Sequence, residues 1–339
     1  MPRLNVSLMF SRFKIDSRHS AAVYHCLTHT VRKEFFDDTA KEVLRKQLWQ
    51  IADYCGLEIL TYAIMSNHFH VLARVPLKTD DIPDTELLRR YDVLYPKPTP
   101  IQAARIKIVR EQLKTNGPEA VKWRKQQLAL MNDISPFMKL LKQRFSIWFN
   151  RTNGRRGTLW SERFRSVLVE GRGNVLSTMA AYIDLNPVRA GIVADPKDYR
   201  FCGYAEAVKG NTHARTGITR IVTGGQGGET WRAMHDTYRM RLFGEGVKQR
   251  PGKASITPAQ LAKVMEAKGK LPLATVLHCK VRYFTDGAVL GSKAYVAEQL
   301  ARYQRQTGMR KRMSLRELPP LADWGDMVTM RGVRKNVIG

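Results

Sequence analysis

The stretch YAIMSNHFHVLARV, residues 62–75, decides the architecture that we predict for this chain. Apolar and β-branched residues fill both of its halves, and the polar dipeptide Ser-Asn between them is typical of a tight turn. We therefore predict a hairpin of two antiparallel strands, over residues 57–65 and 68–75.

Further elements flank this hairpin on both sides. Residues 22–30 are β-branched and aromatic enough for a strand, and apolar residues at helical spacing predict a helix over about 38–55 that begins at Asp38 or Thr39. A second long helix is predicted from Ser135, and residues 164–170 favour another strand. The order β-α-β-β-α-β predicts an α+β, ferredoxin-like fold, with an antiparallel sheet and helices on one face.

Two regions depart from this pattern. Residues 78–132 are polar, punctuated by proline and helical in spacing, which predicts a helical insertion. Residues 216–228 are rich in Gly and Thr and are typical of a linker. Helical spacing recurs over 230–243, 257–268 and 292–304. We predict one domain over residues 1–205 and a basic, mainly helical C-terminal region over 206–339.

The charge balance indicates a polyanionic partner. The chain of 339 residues has 57 Lys and Arg against 30 Asp and Glu, a formal net charge of +27. Such an excess suits DNA, and it equally suits ribosomal RNA or an acidic membrane surface. Four dispersed cysteines do not form a disulfide framework or a zinc motif. Without an apolar signal core or a run of roughly 18 apolar residues, we expect a soluble cytoplasmic protein.

The histidine pair is the first candidate site. His68 and His70 share one face of their strand while Phe69 takes the other, because side chains alternate along a strand. Two imidazoles on one face can share a divalent ion. The alternative is two polar residues on a half-exposed strand. His25 and His29 share a face in the same way, and we assign them no role.

The second candidate site lies on a helix predicted over about 174–186. Tyr182 and Asn186 are one turn apart on the same face, and Pro187 leaves the amide of Asn186 at the helix end, free to turn toward a ligand. The alternative is a packed tyrosine with a solvated hydroxyl. Combined with a metal on the histidines, a phenolate here suits in-line attack on a phosphodiester, and a covalent phosphotyrosine suits strand transfer.

These motifs resemble those of a known family. Residues 62–75 are similar to the metal-binding strand of the HUH (His–hydrophobe–His) nucleases. The stretch AYIDLNPVRAGIV, 181–193, is similar to the tyrosine helix of their single-tyrosine transposases, particularly the REP-associated tyrosine transposases. GTLWSERFRSVLV, 157–169, matches the segment that usually lies between them. The resemblance covers about residues 15–205, interrupted by an insertion that is long for this core.

The resemblance implies a role for each residue. His68 and His70 would hold Mg²⁺ or Mn²⁺, Asn186 would be the third ligand, and Tyr182 would be the nucleophile. The implied reaction cleaves single-stranded DNA at a hairpin-forming repeat of the REP type, leaving a 5′-phosphotyrosine and a free 3′-hydroxyl. The lack of a second tyrosine on this helix face favours the transposase branch over replication and conjugation initiators. A bacterial, nucleoid-associated location is implied, and monomer or homodimer stays undecided.

Nearby basic residues are candidates for DNA contacts. Arg155 and Arg156 lie in a basic loop, and Arg163 and Arg165 follow it, so the four suit a phosphate clamp. Trp160 could stack on an unpaired base. The alternatives are a solvated surface for the arginines and core packing for the tryptophan.

Two other functions compete with the enzyme. One is an inactive derivative that binds structured DNA or RNA without cutting it. The other is a metallohydrolase with a water nucleophile, which would need carboxylates near the metal. The nearby candidates are only Asp184 and Glu162, and Asp184 should point away from the face of Tyr182.

Overall fold

The computed structural model describes residues 13–31, 34–78, 82–225, 230–243, 273–277, 281, 283–307, 315–318 and 322–330. The described strands are β1 (Ala22–His29), β2 (Glu58–Ile64), β3 (His68–Val75), β4 (Arg165–Val169), β5 (Val289–Ser292), β6 (Arg316–Glu317) and β7 (Met327–Thr329). The described helices are α1 (Asp38–Cys55), α2 (Asp84–Leu94), α3 (Pro100–Thr115), α4 (Pro118–Leu128), α5 (Ile134–Thr152), α6 (Gly173–Asp184), α7 (Asn186–Arg189), α8 (Gly203–Val208), α9 (Thr212–Thr223), α10 (Trp231–Phe243), α11 (Leu273–Leu277), α12 (Tyr283–Asp286) and α13 (Lys293–Thr307). The helix predicted over 257–268 lies outside the described residues.

The strands form one mixed sheet in the order β2-β3-β1-β4-β5-β7-β6. The first four are mutually antiparallel and have the ferredoxin-like order, which confirms the predicted α+β core. Beyond them, β5 pairs parallel to β4, and β7 pairs antiparallel to β5 and β6. These three strands were not predicted, because segments of two to four residues are too short to show an alternating pattern.

Local hydrogen bonds set the ends of the two long helices. The side chain of Asp37 accepts from the backbone N–H of Ala40 at the start of α1, and Gly56 ends the helix with a left-handed φ of 67°. Asp133 caps α5, so this helix begins just before the predicted cap at Ser135. In both helices the cap is a neighbouring aspartate, which completes the turn better than the residue expected from sequence.

The face of the sheet toward α1 and α5, the two helices of the predicted core, is aromatic. Helices also pack on the other face, which extends the predicted arrangement of helices on one face. We call the cluster of Phe36, Phe69, Phe145, Phe149 and Trp160 the aromatic face. Phe69 of β3 meets Trp160 edge-on with ring centroids 5.6 Å apart, and Phe36 meets Phe145 at 5.1 Å. Edge-to-face rings of this kind add to the stability that apolar burial provides.

The opposite face of the sheet is covered by α6 and α9. The first half of the predicted linker over 216–228 is helical in the structure, which corrects that prediction. Asn211 caps α9 by accepting from the N–H of Ala214. Gly217 allows the helix to lie directly on β2, because a Cβ there would fall 2.4 Å from the carbonyl oxygen of Leu60. This glycine therefore serves close packing rather than chain flexibility.

The predicted insertion forms three helices, α2, α3 and α4, and α3 pairs with α4. The insertion packs on the outer side of α1 through α2. Leu87, Leu94 and Trp123 are its buried anchors. The insertion thus lies beside the aromatic face of the core.

Candidate active site on the histidine face

Strand register brings four histidines together on one face of the sheet. His29 of β1 is directly opposite His68 of β3, and Leu27 is opposite His70. His25 follows on the same face of β1, because side chains alternate along a strand. Ring centroids are 5.1 Å apart for His29 and His68, 5.3 Å for His68 and His70, and 5.0 Å for His25 and His70. We call His25, His29, His68 and His70 the histidine face.

Two of these histidines are joined by a short hydrogen bond. Nε2 of His25 lies 2.8 Å from Nδ1 of His70, and Nδ1 of His25 lies 2.7 Å from the carbonyl oxygen of Phe284. Burial lowers the pKa of His25 to about 4 and lowers the pKa of His70 well below its ordinary value, and the Arg189 guanidinium adds to both effects. Both rings are therefore neutral at pH 7, which is the form that binds a metal ion.

Tyr182 on α6 faces this cluster. Its ring centroid is 6.3 Å from that of His70 and 6.5 Å from that of His25, in edge-on contacts. The residue is only 2% exposed, and the ring of Phe284 packs against it at 4.9 Å. The sequence prediction placed Tyr182 with the histidines from motifs alone, and the structure brings these side chains to one site.

Arg189 holds the tyrosine from the side opposite its helix. The guanidinium carbon is 4.0 Å from the centroid of the Tyr182 ring. The same group donates to the carbonyl oxygens of Tyr182 at 2.7 Å and Leu277 at 2.9 Å. A cation over an aromatic face is attracted by the ring quadrupole, so this contact fixes the ring and places a positive charge beside it.

Asp184 anchors the tyrosine helix from its buried side. Its carboxylate accepts from the hydroxyls of Thr61 and Tyr238, each at 2.6 Å. The side chain is fully buried, and burial raises its pKa to about 7. As predicted, this carboxylate points away from Tyr182. Its hydrogen bonds hold α6 against β2 and α10, and this engagement weighs against a hydrolase role for it.

Asn186 begins the short helix α7, immediately after α6. Its Nδ2 donates to the carbonyl oxygen of Ile183 at 3.3 Å, and within the described residues no hydrogen bond joins it to the histidines. Nor does the described part of the chain contain three His, Cys, Asp or Glu side chains grouped to hold a metal ion. The imidazole nitrogens of His68 and His70 nonetheless suit a divalent ion, and nitrogen ligands suit Mn²⁺ better than Mg²⁺.

Trp160 is the one aromatic candidate for DNA contact, and the structure places it in the core. It is 8% exposed, and its Nε1 donates to the carbonyl oxygen of Lys142 at 3.0 Å. The ring packs against Phe36, Phe69 and Phe145. To stack on a base, Trp160 would have to leave the aromatic face. Core packing, the alternative interpretation, therefore fits this residue.

The four arginine candidates differ in position. Arg155 forms an ion pair with Glu34 at 3.2 Å, whereas Arg156 and Arg163 are exposed. Arg165 is opposite Leu27 in the β1–β4 register, so it lies on the same side of the sheet as the histidine face. The strand register therefore places Arg165 on the side of the candidate site, where it forms an ion pair with Glu162 at 2.8 Å.

Sequence reasoning missed three groups at this site: His25, Arg189 and Phe284. The spacing of His25 and His29 was visible, but only the register with β3 shows that both belong to the same cluster. Arg189 lies within the quoted tyrosine motif, but it has no distinguishing pattern of its own. Phe284 contacts Tyr182 from a distant segment, and no local signal reports such a contact.

Comparison with known proteins supports the relationship inferred from the motifs. No described helix is both long and apolar enough to cross a membrane. Residues 18–82 match the family model described as IS200-like transposase. Among solved structures, the chain is similar to a REP-associated tyrosine transposase bound to a REP hairpin, at TM-score 0.36 and 14% identity, over 56% of this chain and 81% of that one. No curated protein matches significantly.

The matched segment contains β1, β2 and β3, and with them all four residues of the histidine face. Over residues 18–82, the match agrees with the predicted resemblance to a single-tyrosine transposase family. Through residues 18–82, this chain is related to the IS200-like transposases.

Proposed function

We propose that this protein is a DNA-nicking and strand-transfer enzyme of the transposase type, with Tyr182 as its nucleophile. The observation that carries the proposal is the packing of Tyr182 against His70, with ring centroids 6.3 Å apart, on the face that also carries His68. A tyrosine used only for packing would not need a cluster of histidines beside it. The family match over residues 18–82 supports the same conclusion.

His68 and His70 are the proposed metal ligands, and Asn186 is the proposed third ligand. When bound, Mn²⁺ or Mg²⁺ would polarise the scissile phosphate and offset the charge that develops on it. Asn186 lies one turn beyond the tyrosine, and its amide oxygen is the group suited to a metal. His70 contributes a neutral nitrogen, because burial lowers the pKa of its imidazole.

The residues of the chain position and stabilise the nucleophile. The phenol of Tyr182 gives up its proton, and its oxygen forms a bond to phosphorus. The bond from phosphorus to the 3′ oxygen breaks, and that oxygen leaves as a hydroxyl with one proton. The guanidinium of Arg189, 4.0 Å from the ring, favours the phenolate by electrostatic attraction. The covalent product keeps the energy of the phosphodiester bond for rejoining.

Access to the tyrosine requires a rearrangement. Tyr182 is 2% exposed, and Phe284 covers its ring, so a DNA strand has to displace this contact to reach the hydroxyl. The net charge of +27 favours association with DNA, and Arg165 places a cation at the edge of the histidine face. We expect hairpin-forming repeat DNA as the substrate and the bacterial nucleoid as the location.

A covalent adduct tests the proposal directly. The protein is incubated with Mn²⁺ and a labelled single-stranded DNA that contains a repeat hairpin, and a protein–DNA adduct is sought on a denaturing gel. Tyr182→Phe should abolish the adduct. Tyr62→Phe is a matched control, because Tyr62 is equally buried but lies on the opposite side of the sheet, against Trp49 of α1.

The other outcomes contradict the proposal. Cleaved DNA without an adduct would indicate hydrolysis by water, as in a metallohydrolase. Binding without any cleaved product would indicate a protein that recognises structured DNA or RNA and does not cut it. An adduct that persists in Tyr182→Phe would assign the nucleophile to another residue.

A further inference from the structure

We propose that His25 is a positioning residue, which holds His70 in the tautomer that has its proton on Nδ1 and leaves Nε2 unprotonated. This role deepens the proposed function and depends on it in one respect, since it is His70 as a metal ligand that benefits. A metal ligand needs a lone pair on the coordinating nitrogen, and a second residue usually fixes which nitrogen that is.

The assignment follows from a chain of hydrogen bonds that starts at a backbone carbonyl. The oxygen of Phe284 only accepts, so the nitrogen 2.7 Å from it, Nδ1 of His25, carries the proton. A neutral imidazole has one N–H, and Nε2 of His25 is therefore an acceptor. Nδ1 of His70 lies 2.8 Å from that acceptor and must donate. The remaining nitrogen of His70, Nε2, keeps its lone pair.

The direction of the chain depends on both rings being neutral. A protonated His25 would donate from both nitrogens and would force the opposite tautomer on His70. Burial opposes this, because His25 is 1% exposed and His70 is 3% exposed.

His68 has the same arrangement by a different route. Its Nδ1 lies 2.7 Å from Oδ1 of Asn67, the residue before it in the turn. An amide oxygen only accepts, so Nδ1 of His68 also carries the proton. Both members of the motif thus use Nδ1 for a hydrogen bond to a nearby acceptor. One anchor is local, and the other reaches His70 through His25 from the C-terminal region.

The chain of hydrogen bonds from Phe284 through His25 to His70 connects the C-terminal region to the candidate site. The anchor is a backbone oxygen of α12, which packs beside β4. Because the acceptor is a backbone oxygen, the contact does not depend on the type of side chain at Phe284. Position 25, in turn, requires a side chain that has both a donor and an acceptor, and few side chains other than histidine offer both in this geometry.

The tautomer is measured without metal, DNA or activity. The full-length protein is labelled with ¹⁵N at its histidines, and two-bond ¹H–¹⁵N correlation spectra report which ring nitrogen carries the proton. We expect His70 with a protonated Nδ1 in the wild type, and a loss of this single tautomer in His25→Leu. A protonated Nε2 on His70 in the wild type would overturn the inference, whatever the activity of the enzyme.

Metal affinity gives the second readout, from the electron paramagnetic resonance signal of free Mn²⁺ during titration. His25→Leu should weaken Mn²⁺ binding roughly 10- to 100-fold, the usual effect of removing a partner of a metal-bound histidine. His25→Gln should restore most of the affinity, because its amide can donate to Phe284 and accept from His70. Thr28→Val is the matched control on the opposite side of β1 and should leave the affinity unchanged.

The two proposals fail in different ways. If His70 has the expected tautomer and no DNA adduct forms, His25 still positions His70 and the nuclease proposal is wrong. If adducts form but His25→Leu binds Mn²⁺ as tightly as the wild type, the positioning role is wrong. If His25→Leu fails to fold, the wild-type tautomer and the Mn²⁺ affinity of His25→Gln still decide between the outcomes. If His70 has a mixed tautomer in a folded His25→Gln variant, weak Mn²⁺ binding would support the positioning role. An unchanged Mn²⁺ affinity with the same mixed tautomer would refute it.

Discussion

The aromatic face and the histidine face lie back to back in the same strands. The aromatic face is buried, whereas the histidine face is buried at His25 and His70 and half-buried at His29 and His68. Phe69 is surrounded by rings, and its contacts require no hydrogen-bond partner. His68 and His70, on either side of it in sequence, each place Nδ1 in a hydrogen bond. The aromatic face therefore contributes stability through apolar burial, while the histidine face gives up some stability because it places polar imidazoles in fixed orientations. Substitutions on the two faces should separate folding from chemistry.

The largest effect is expected on the histidine face. His68→Ala should lower the rate of adduct formation at least about 100-fold, because under the proposed function it removes a metal ligand and several kcal/mol of charge stabilisation. DNA affinity should stay close to that of the wild type, since phosphate contacts supply most of it. Adduct formation is followed on denaturing gels, and affinity by fluorescence anisotropy. Equal losses of binding and cleavage would show that His68 has a structural role.

A comparable truncation on the aromatic face should act on folding. Phe69→Ala should lower the free energy of unfolding by about 3–5 kcal/mol, the usual cost of a cavity left by a buried phenylalanine. The adduct yield per folded molecule should remain near that of the wild type. Urea unfolding measures the first quantity, and active-site titration with labelled DNA measures the second. A stability loss below about 1 kcal/mol would mean that the two faces do not differ as described.

These two faces also show what the sequence could predict. Alternation in residues 68–75 assigned Phe69 to one face and both histidines to the other, and the turn before them set the hairpin. Local periodicity and capping therefore predicted β1 to β4, α1 and α5 within a few residues. Core packing of Trp160 was already the alternative given from the sequence. Partners from distant segments were not predictable, because no local pattern links His25 to Phe284. Gly217 misled the prediction, since a glycine chosen for close packing resembles one in a linker.

The free energy of unfolding should depend on pH through Asp184, the residue that anchors α6 beside the histidine face. Asp184 has a pKa raised to about 7 from an ordinary value of 3.8, so its contribution to stability is complete below pH 4 and is lost as the pH rises to about 7. The loss amounts to about 4 kcal/mol at most. In urea unfolding between pH 4 and 8, Asp184→Asn should lack this part of the pH dependence. Parallel curves for the variant and the wild type would contradict the assignment.

The smallest effect is expected at the edge of the histidine face. Arg165→Ala should weaken DNA binding a few-fold and reduce the slope of log K against log salt by about 1, as for the loss of one phosphate contact. Arg105→Ala, an exposed position on α3 of the insertion, is the control for charge alone. Anisotropy titrations at several salt concentrations measure both variants. The same slope change in both would indicate that position on the sheet does not matter.

The parallel pairing of β4 with β5 bears on how the chain can be shortened. Backbone N–H groups of Leu168 and Glu170 donate to the carbonyl oxygens of Ala288 and Leu290, at 3.0 and 2.9 Å. A protein truncated after residue 205 would expose these N–H donors along β4, which would then be an edge strand that strands of other molecules can pair with. Such a protein should self-associate or precipitate. By covering this edge, the C-terminal region also protects the core from aggregation. A truncated protein would need charged substitutions along β4 to stay monodisperse.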